Sequence, residues 1–141
     1  HVIEPSIGAE RTVLAVLASA YNEEALEGGE TRIVLKLKPS MAPIKICVSP
    51  LLKNKEVLVG KAQDIYKTLK KEFGSVVYDD NGNIGKRYRR QDEIGTPYCV
   101  VIDFDTIESD DSVGVRDRDT MEQARVKIGD LKSYLAERLE M

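Results

Sequence analysis

Histidine is almost missing from this chain. There is one, at position 1, and there is no tryptophan. With the single histidine at the terminus and no paired Cys–His, a nucleophilic triad has no support. Cysteine is nearly as scarce. Cys47 and Cys99 are the only ones, and each lies inside an apolar, strand-like run. Two buried free thiols fit that placement better than a disulfide, and they suit a reducing, cytoplasmic setting. A four-ligand structural zinc would need carboxylates to complete it, so no metal site is expected. No apolar run approaches the roughly 20 residues that cross a bilayer, so no membrane association is expected. A basic excess is also lacking: 21 Lys and Arg stand against 24 Asp and Glu, for a net charge of −3. Any contact with nucleic acid must therefore use a local patch and not the whole surface. The short apolar run from Arg11 to Ala20 has the small-residue end of a secretory signal. However, Glu4 and Glu10 stand where such a signal is basic, and there is no initiator Met. The first residue is His1, and the chain is expected to be a piece of a longer protein.

What is present suits one domain with a real core. The chain has 141 residues, 42% hydrophobic and 32% charged. Residues 1–26 begin with a strand stub at Val2-Ile3, then a bend at Pro5 and Gly8, then a helix from Ala9 to Tyr21. Val13, Leu14, Val16, Leu17 and Ala20 cover most of that helix's circumference, so it needs a partner to bury it. Residues 27–43, with Gly28, Gly29, Pro39 and Pro43, read as a linker holding a short strand from Arg32 to Leu37. From 44 to 141 strands and helices alternate. A strand over Ile44–Val48 precedes a helix over Lys55–Phe73, with Asn54 as cap and Gly74 as stop. A strand over Ser75–Tyr78 ends in the turn Asp79–Gly82, and a further strand covers Tyr98–Asp103. An acidic loop runs to Ser112, and a half-exposed hairpin pairs Val113–Arg116 with Ala124–Ile128. A last helix begins at Asp130, with Leu131, Tyr134, Leu135 and Leu139 as its stripe. The implied fold is α/β: a mixed, mostly parallel sheet of about five strands flanked by about three helices, with an antiparallel hairpin at one edge.

Several motifs fail on spacing. Gly60-Lys61 and Gly85-Lys86 lack the earlier glycine of a phosphate loop, since Lys55 and Asp80 stand there. Counting an EF-hand from Asp103 puts Glu108 where the loop needs Gly and Gly114 where it needs Glu.

The stretch Ile84–Pro97 stands out. Asn83 sits at an N-cap position, Gly95 at the C-terminal glycine position, and Pro97 blocks continuation. Ile84, Tyr88, Gln91 and Ile94 form an inward stripe, which leaves Lys86, Arg87, Arg89, Arg90, Asp92 and Glu93 as an outward charged face. Such a face is either ordinary solvated surface or a recognition surface for a polyanion.

Glu4-Pro-Ser-Ile-Gly-Ala-Glu-Arg11, followed by an apolar helix, resembles motif 3 of class II aminoacyl-tRNA synthetases. Ile84–Pro97, Cys99–Thr106 and the Arg116-Asp-Arg-Asp119 hairpin resemble the anticodon-binding domain of the glycyl, threonyl, prolyl and histidyl members. The Glu4-x-Ser6 pair, Asp103–Thr106 and Val115–Thr120 resemble the glycyl version. The resemblance covers nearly the whole chain and implies a division into the end of a catalytic domain (1–26), a linker (27–43) and an anticodon-binding domain (44–141). It implies that Glu4 and Ser6 line a glycine pocket and that Arg11 stacks on the adenine of ATP. Lys86, Arg87, Arg89, Arg90, Asp92 and Glu93, with Arg116 and Arg118 behind them, would be the candidate readers of a glycine tRNA anticodon, acceptors beside cations suiting its cytosines. The complete enzyme would be a homodimeric glycine–tRNA ligase using ATP and magnesium. Motifs 1 and 2 are absent, so this piece alone is expected to be inactive. A non-catalytic synthetase-like accessory protein that grips nucleic acid is the alternative. A generic thioredoxin-like module lacks the Cys-x-x-Cys pair it would need.

Overall fold

A computed structural model describes residues 2–26, 28–108 and 111–139. The chain starts in extended, irregular backbone. Val2 and Ile3 form no strand, because nothing lies alongside to pair with them. Helix α1 (Ala9–Ala20) runs straight into strand β1 (Tyr21–Ala25), which pairs antiparallel with β2 (Thr31–Leu35). Residues 31–35 are thus one arm of a hairpin whose other arm, Tyr-Asn-Glu-Glu-Ala, has no apolar alternation to announce it.

The main sheet has the order β4-β3-β5-β6-β7. Its strands are β3 (Ile46–Pro50), β4 (Val76–Tyr78), β5 (Tyr98–Ile102), β6 (Ser112–Asp117) and β7 (Gln123–Lys127). β3 pairs in parallel with both β4 and β5, while β6 and β7 continue the sheet antiparallel. Helix α2 (Glu56–Phe73) links β3 to β4, and α3 (Ile84–Ile94) carries the chain across to β5. The acidic stretch after β5 holds a short helix, α4 (Phe104–Glu108), and the chain closes with α5 (Leu131–Arg138). Residues 109 and 110 of that stretch lie outside the described residues. β6 is buried along most of its length, because it is interior to the sheet, and β7 is the exposed edge on that side.

The sheet's two faces are unlike. On one, Ile46, Val48, Val100, Ile102, Val113 and Val115 meet the apolar stripe of α2 (Leu58, Ala62, Ile65, Leu69) and that of α5 (Leu131, Leu135). Strand alternation sends Cys47, Ser49, Cys99 and Arg116 to the other face. There α3 lies, and the residues it buries are polar: Arg87, Gln91 and Asp92.

The ends of α3 follow the local sequence. The Asn83 side chain accepts from Lys86 N at 2.9 Å, a normal N-cap. Gly95 ends the helix at φ +85°, and a Cβ there would lie 2.9 Å from Leu35 O and 3.0 Å from Leu37 Cδ1. This glycine serves both the left-handed turn and the close approach of the hairpin. α2 is capped one residue later than expected, at Lys55 and not Asn54, and without a side-chain cap bond. Asp130 occupies the N-cap position of α5, again without one.

Candidate nucleic-acid interface

The charged residues of α3 do not form one outward face. Arg87 is 2% exposed, and its guanidinium donates to the Pro50, Asp80 and Gly82 carbonyls. It pins the helix start to the ends of β3 and β4. Asp92 is 1% exposed and faces the sheet. One of its oxygens accepts from Arg116 at 2.8 Å, the other from Arg116 at 3.1 Å and from Arg32 at 3.2 Å. The expected outward placement of Arg87 and Asp92 is therefore corrected. Clustered carbonyls need N–H donors, which Arg87 supplies, and two buried guanidiniums need a carboxylate, so both side chains turn inward. Ile94, expected to anchor the helix, is partly exposed instead.

Arg116 and Arg118 are buried as well. Arg118 donates to Gly95 O at 2.7 Å and Leu37 O at 2.9 Å, and pairs with Asp119. Its own carbonyl accepts from Arg32 at 2.9 Å. Arg116 lies over the Tyr88 ring, 4.6 Å from its centroid. Burial works against its charge, but the Asp92 carboxylate outweighs that and holds its pKa above the ordinary arginine value. These two arginines hold β6, α3 and the 21–35 hairpin together.

The surface cations of α3 are Lys86, Arg89 and Arg90. Lys86 is exposed, Arg89 pairs with Glu30, and Arg90 pairs with Asp79 at 2.8 Å and donates to Asn81 O at 2.7 Å. Glu93 is exposed. In the N-terminal segment Glu4, Ser6 and Arg11 are all exposed, and Gly8 is the helix N-cap. The described residues do not enclose the three in a pocket.

Beside α3 the sheet is uncovered. β7 places Gln123 opposite Arg116, and Arg125 opposite Gly114, on the α3 side. Gln123 donates to the Tyr88 hydroxyl at 3.3 Å. Arg125 donates to Asp103 at 2.5 Å and to Ser112 Oγ at 3.1 Å. The other Asp103 oxygen accepts from the Thr106 amide and hydroxyl at 3.1 and 2.9 Å. Burial acts to raise the Asp103 pKa, but the Thr106 bonds and Arg125 outweigh it and hold the carboxyl below its ordinary value. Burial pushes Tyr88 up to about 12, so its phenol stays protonated. Phe104 stands exposed next to Asp103. Together these form a strip with a half-buried aromatic, an amide, a fixed cation–carboxylate pair and an exposed ring. Beneath α3, Cys47 and Cys99 are register partners on neighbouring parallel strands and both are free thiols. The hydrogen bond with Cys47, together with burial, holds the Cys99 thiol well above its ordinary pKa, so it stays neutral.

Gln123, Arg125 and Phe104 were not among the residues singled out from sequence. The parity of the hairpin could have found the first two: both share a face with Arg116 once the pairing is set.

Residues 45–138 match the family model described as the anticodon binding domain. The chain belongs to that family. Its anticodon binding domain therefore comprises the five-stranded sheet with α2, α3, α4 and α5, and the strip beside α3 lies within it. The whole chain is similar to glycine–tRNA ligases. It is 56% identical over 140 residues to that of Clostridium acetobutylicum and 55% identical over 140 residues to that of Clostridium kluyveri, covering 99% of this chain in each case. The glycine–tRNA ligase of Deinococcus radiodurans is 52% identical over 151 residues, covering 98% of the chain. The chain spans 29% of the length of these relatives.

Proposed function

We propose that this chain recognises the anticodon of glycine tRNA as part of a glycine–tRNA ligase. The observation that carries the reading is the uncovered strip beside α3, in a chain whose relatives bear that name over nearly all of its length. Single-stranded bases are recognised by stacking and by hydrogen bonds to their edges. Phe104 offers a ring face for stacking, the Tyr88 hydroxyl, the Gln123 amide and Asp103 offer polar contacts to base edges, and Lys86, Arg89 and Arg90 offer phosphate contacts. Glu93 is a further exposed acceptor. Arg87, Asp92, Arg116 and Arg118 act from behind by fixing α3 and the hairpin in place.

In the complete enzyme, residues 1–26 would supply motif 3 to a catalytic unit in which Glu4 and Ser6 meet glycine and Arg11 stacks on ATP. Their exposure suits side chains whose pocket walls come from elsewhere. A homodimeric, cytoplasmic ligase is the reading that fits.

The test is a titration of the chain with glycine tRNA and with a version altered in its anticodon, each at two salt concentrations. The reading expects tighter binding of the unaltered tRNA and loss of that preference in Tyr88→Ala and Gln123→Ala. Equal binding of both tRNAs, with steep salt dependence, would reduce the interface to a general polyanion patch.

A further inference from the structure

A second cavity lies on the opposite side of the β6–β7 hairpin from the strip. It has a volume of about 520 Å³ and sits between the hairpin end and α5. That is within the usual size range of small-molecule sites. Tyr98, Asp117, Glu122, Tyr134 and Arg138 provide its chemistry, with Val115 and Ala124 as apolar floor.

Tyr98 is 92% buried by its 8% exposure and lines this cavity, yet its hydroxyl makes no hydrogen bond among the described residues. The ring is enclosed while the hydroxyl itself opens into the cavity, where a ligand can reach it. The carboxylates are likewise incompletely used. Asp117 Oδ1 accepts from the Asp119 and Thr120 amides at 2.7 and 3.1 Å, which fixes the turn and leaves its other oxygen available. The Glu122 carboxylate has no partner among the described residues, and it is exposed. The one cation of the lining is already engaged. The Arg138 guanidinium lies 3.6 Å from the centroid of the Tyr134 ring, bonds Tyr134 O at 3.3 Å, and has Glu137 at 3.9 Å. Asp119, also nearby, is paired with Arg118. The cavity therefore presents two carboxylates with unused oxygens, an unpartnered phenol and aromatic walls, with negative charge in excess.

We propose that this cavity binds a small organic cation, a free primary amine or guanidine, whose N–H groups donate to Asp117, Glu122 and the Tyr98 hydroxyl. An anionic ligand is disfavoured by the same two carboxylates. The site shares no wall with the strip beside α3 except Gln123, whose amide points to Tyr88 on the other face. It stands whether or not the chain binds tRNA.

The experiment is an amide-correlation NMR titration of the 141-residue chain with agmatine and with spermidine, at constant ionic strength, using 1-butanol as the uncharged control. Saturable shifts confined to residues around Tyr98, Glu122 and Tyr134 are expected, with no response to butanol. Glu122→Gln should weaken binding about tenfold or more, as expected for a lost charge-assisted bond. Tyr98→Phe keeps the ring and should also weaken it. Asp117→Asn retains an acceptor for the turn amides and gives an independent test, and an unchanged spectrum in the free state certifies the fold of each variant. The proposal is overturned if neither amine causes saturable shifts, if shifts scatter over surface carboxylates generally, or if the folded Glu122→Gln and Asp117→Asn proteins bind as the unaltered chain does.

Discussion

Replacing Asp92 by alanine should be among the most damaging single changes in the chain. The carboxylate is buried and holds two guanidiniums, Arg32 and Arg116, that are themselves 3% and 6% exposed. Its loss would leave Arg116 with only the Tyr88 ring, and Arg32 with Glu24 and the Arg118 carbonyl. Removing one partner of a buried ion pair costs about 3–5 kcal/mol, mostly because the remaining charge is stranded. The Glu24 and ring contacts that survive favour the lower end. Against a typical total of about 5–15 kcal/mol, that is a large share of the stability. Urea unfolding followed by far-UV circular dichroism measures it as a lower midpoint at unchanged slope. The triple change Arg32→Met, Asp92→Leu, Arg116→Met removes all the charges at once and should recover most of the loss. A loss below about 1 kcal/mol in Asp92→Ala would refute the reasoning, because it would mean that water reaches the stranded arginines.

Other outcomes follow from the same contacts. Gly95→Ala should destabilise by more than the roughly 1 kcal/mol of an ordinary glycine replacement, since its Cβ would meet Leu35 O at 2.9 Å as well as the positive φ, and a urea midpoint would show it. Asp103 has a folded pKa below its unfolded one, so its contribution to stability is present above the unfolded value and lost as pH falls through the folded one. The stability gap between the chain and Asp103→Asn should therefore close on acidification below about pH 4, as chemical denaturation across a pH series would record. Leu14→Ser, on the exposed side of α1, should change the stability of this chain by no more than about 0.5 kcal/mol in the same urea assay.

Local signals in the sequence located much of the fold. The stripe of α2 (Leu58, Ala62, Ile65, Leu69, Phe73) is the one its periodicity gives, and α3 starts at Asn83 and stops at Gly95 as its caps dictate. β1 was invisible because Tyr-Asn-Glu-Glu-Ala acquires its pairing only from β2. The interface was harder to read. Arg87 and Arg90 lie three residues apart, yet one is sunk among backbone carbonyls and the other sits at the surface. The difference depends on where residues 50, 80 and 82 end up, which no helical periodicity encodes. Asp92 likewise turns inward because of Arg32 and Arg116, which are distant in sequence. Burial of a charge is decided by its partners, so a face drawn from hydropathy alone misplaces it.

The ties around Arg118 have a mechanical consequence. One side chain grips the backbone at Leu37 and at Gly95, while Arg32 reaches back to Arg118's own carbonyl. A force applied through α1 would reach β1 directly, since the two are contiguous, and would pass from the hairpin to the end of α3 without a soft joint. The hairpin and α3 are thus fastened to each other at the Gly95 end of the helix. A displacement of the hairpin would therefore act first on the Gly95 end of α3, through Arg118 and Arg32.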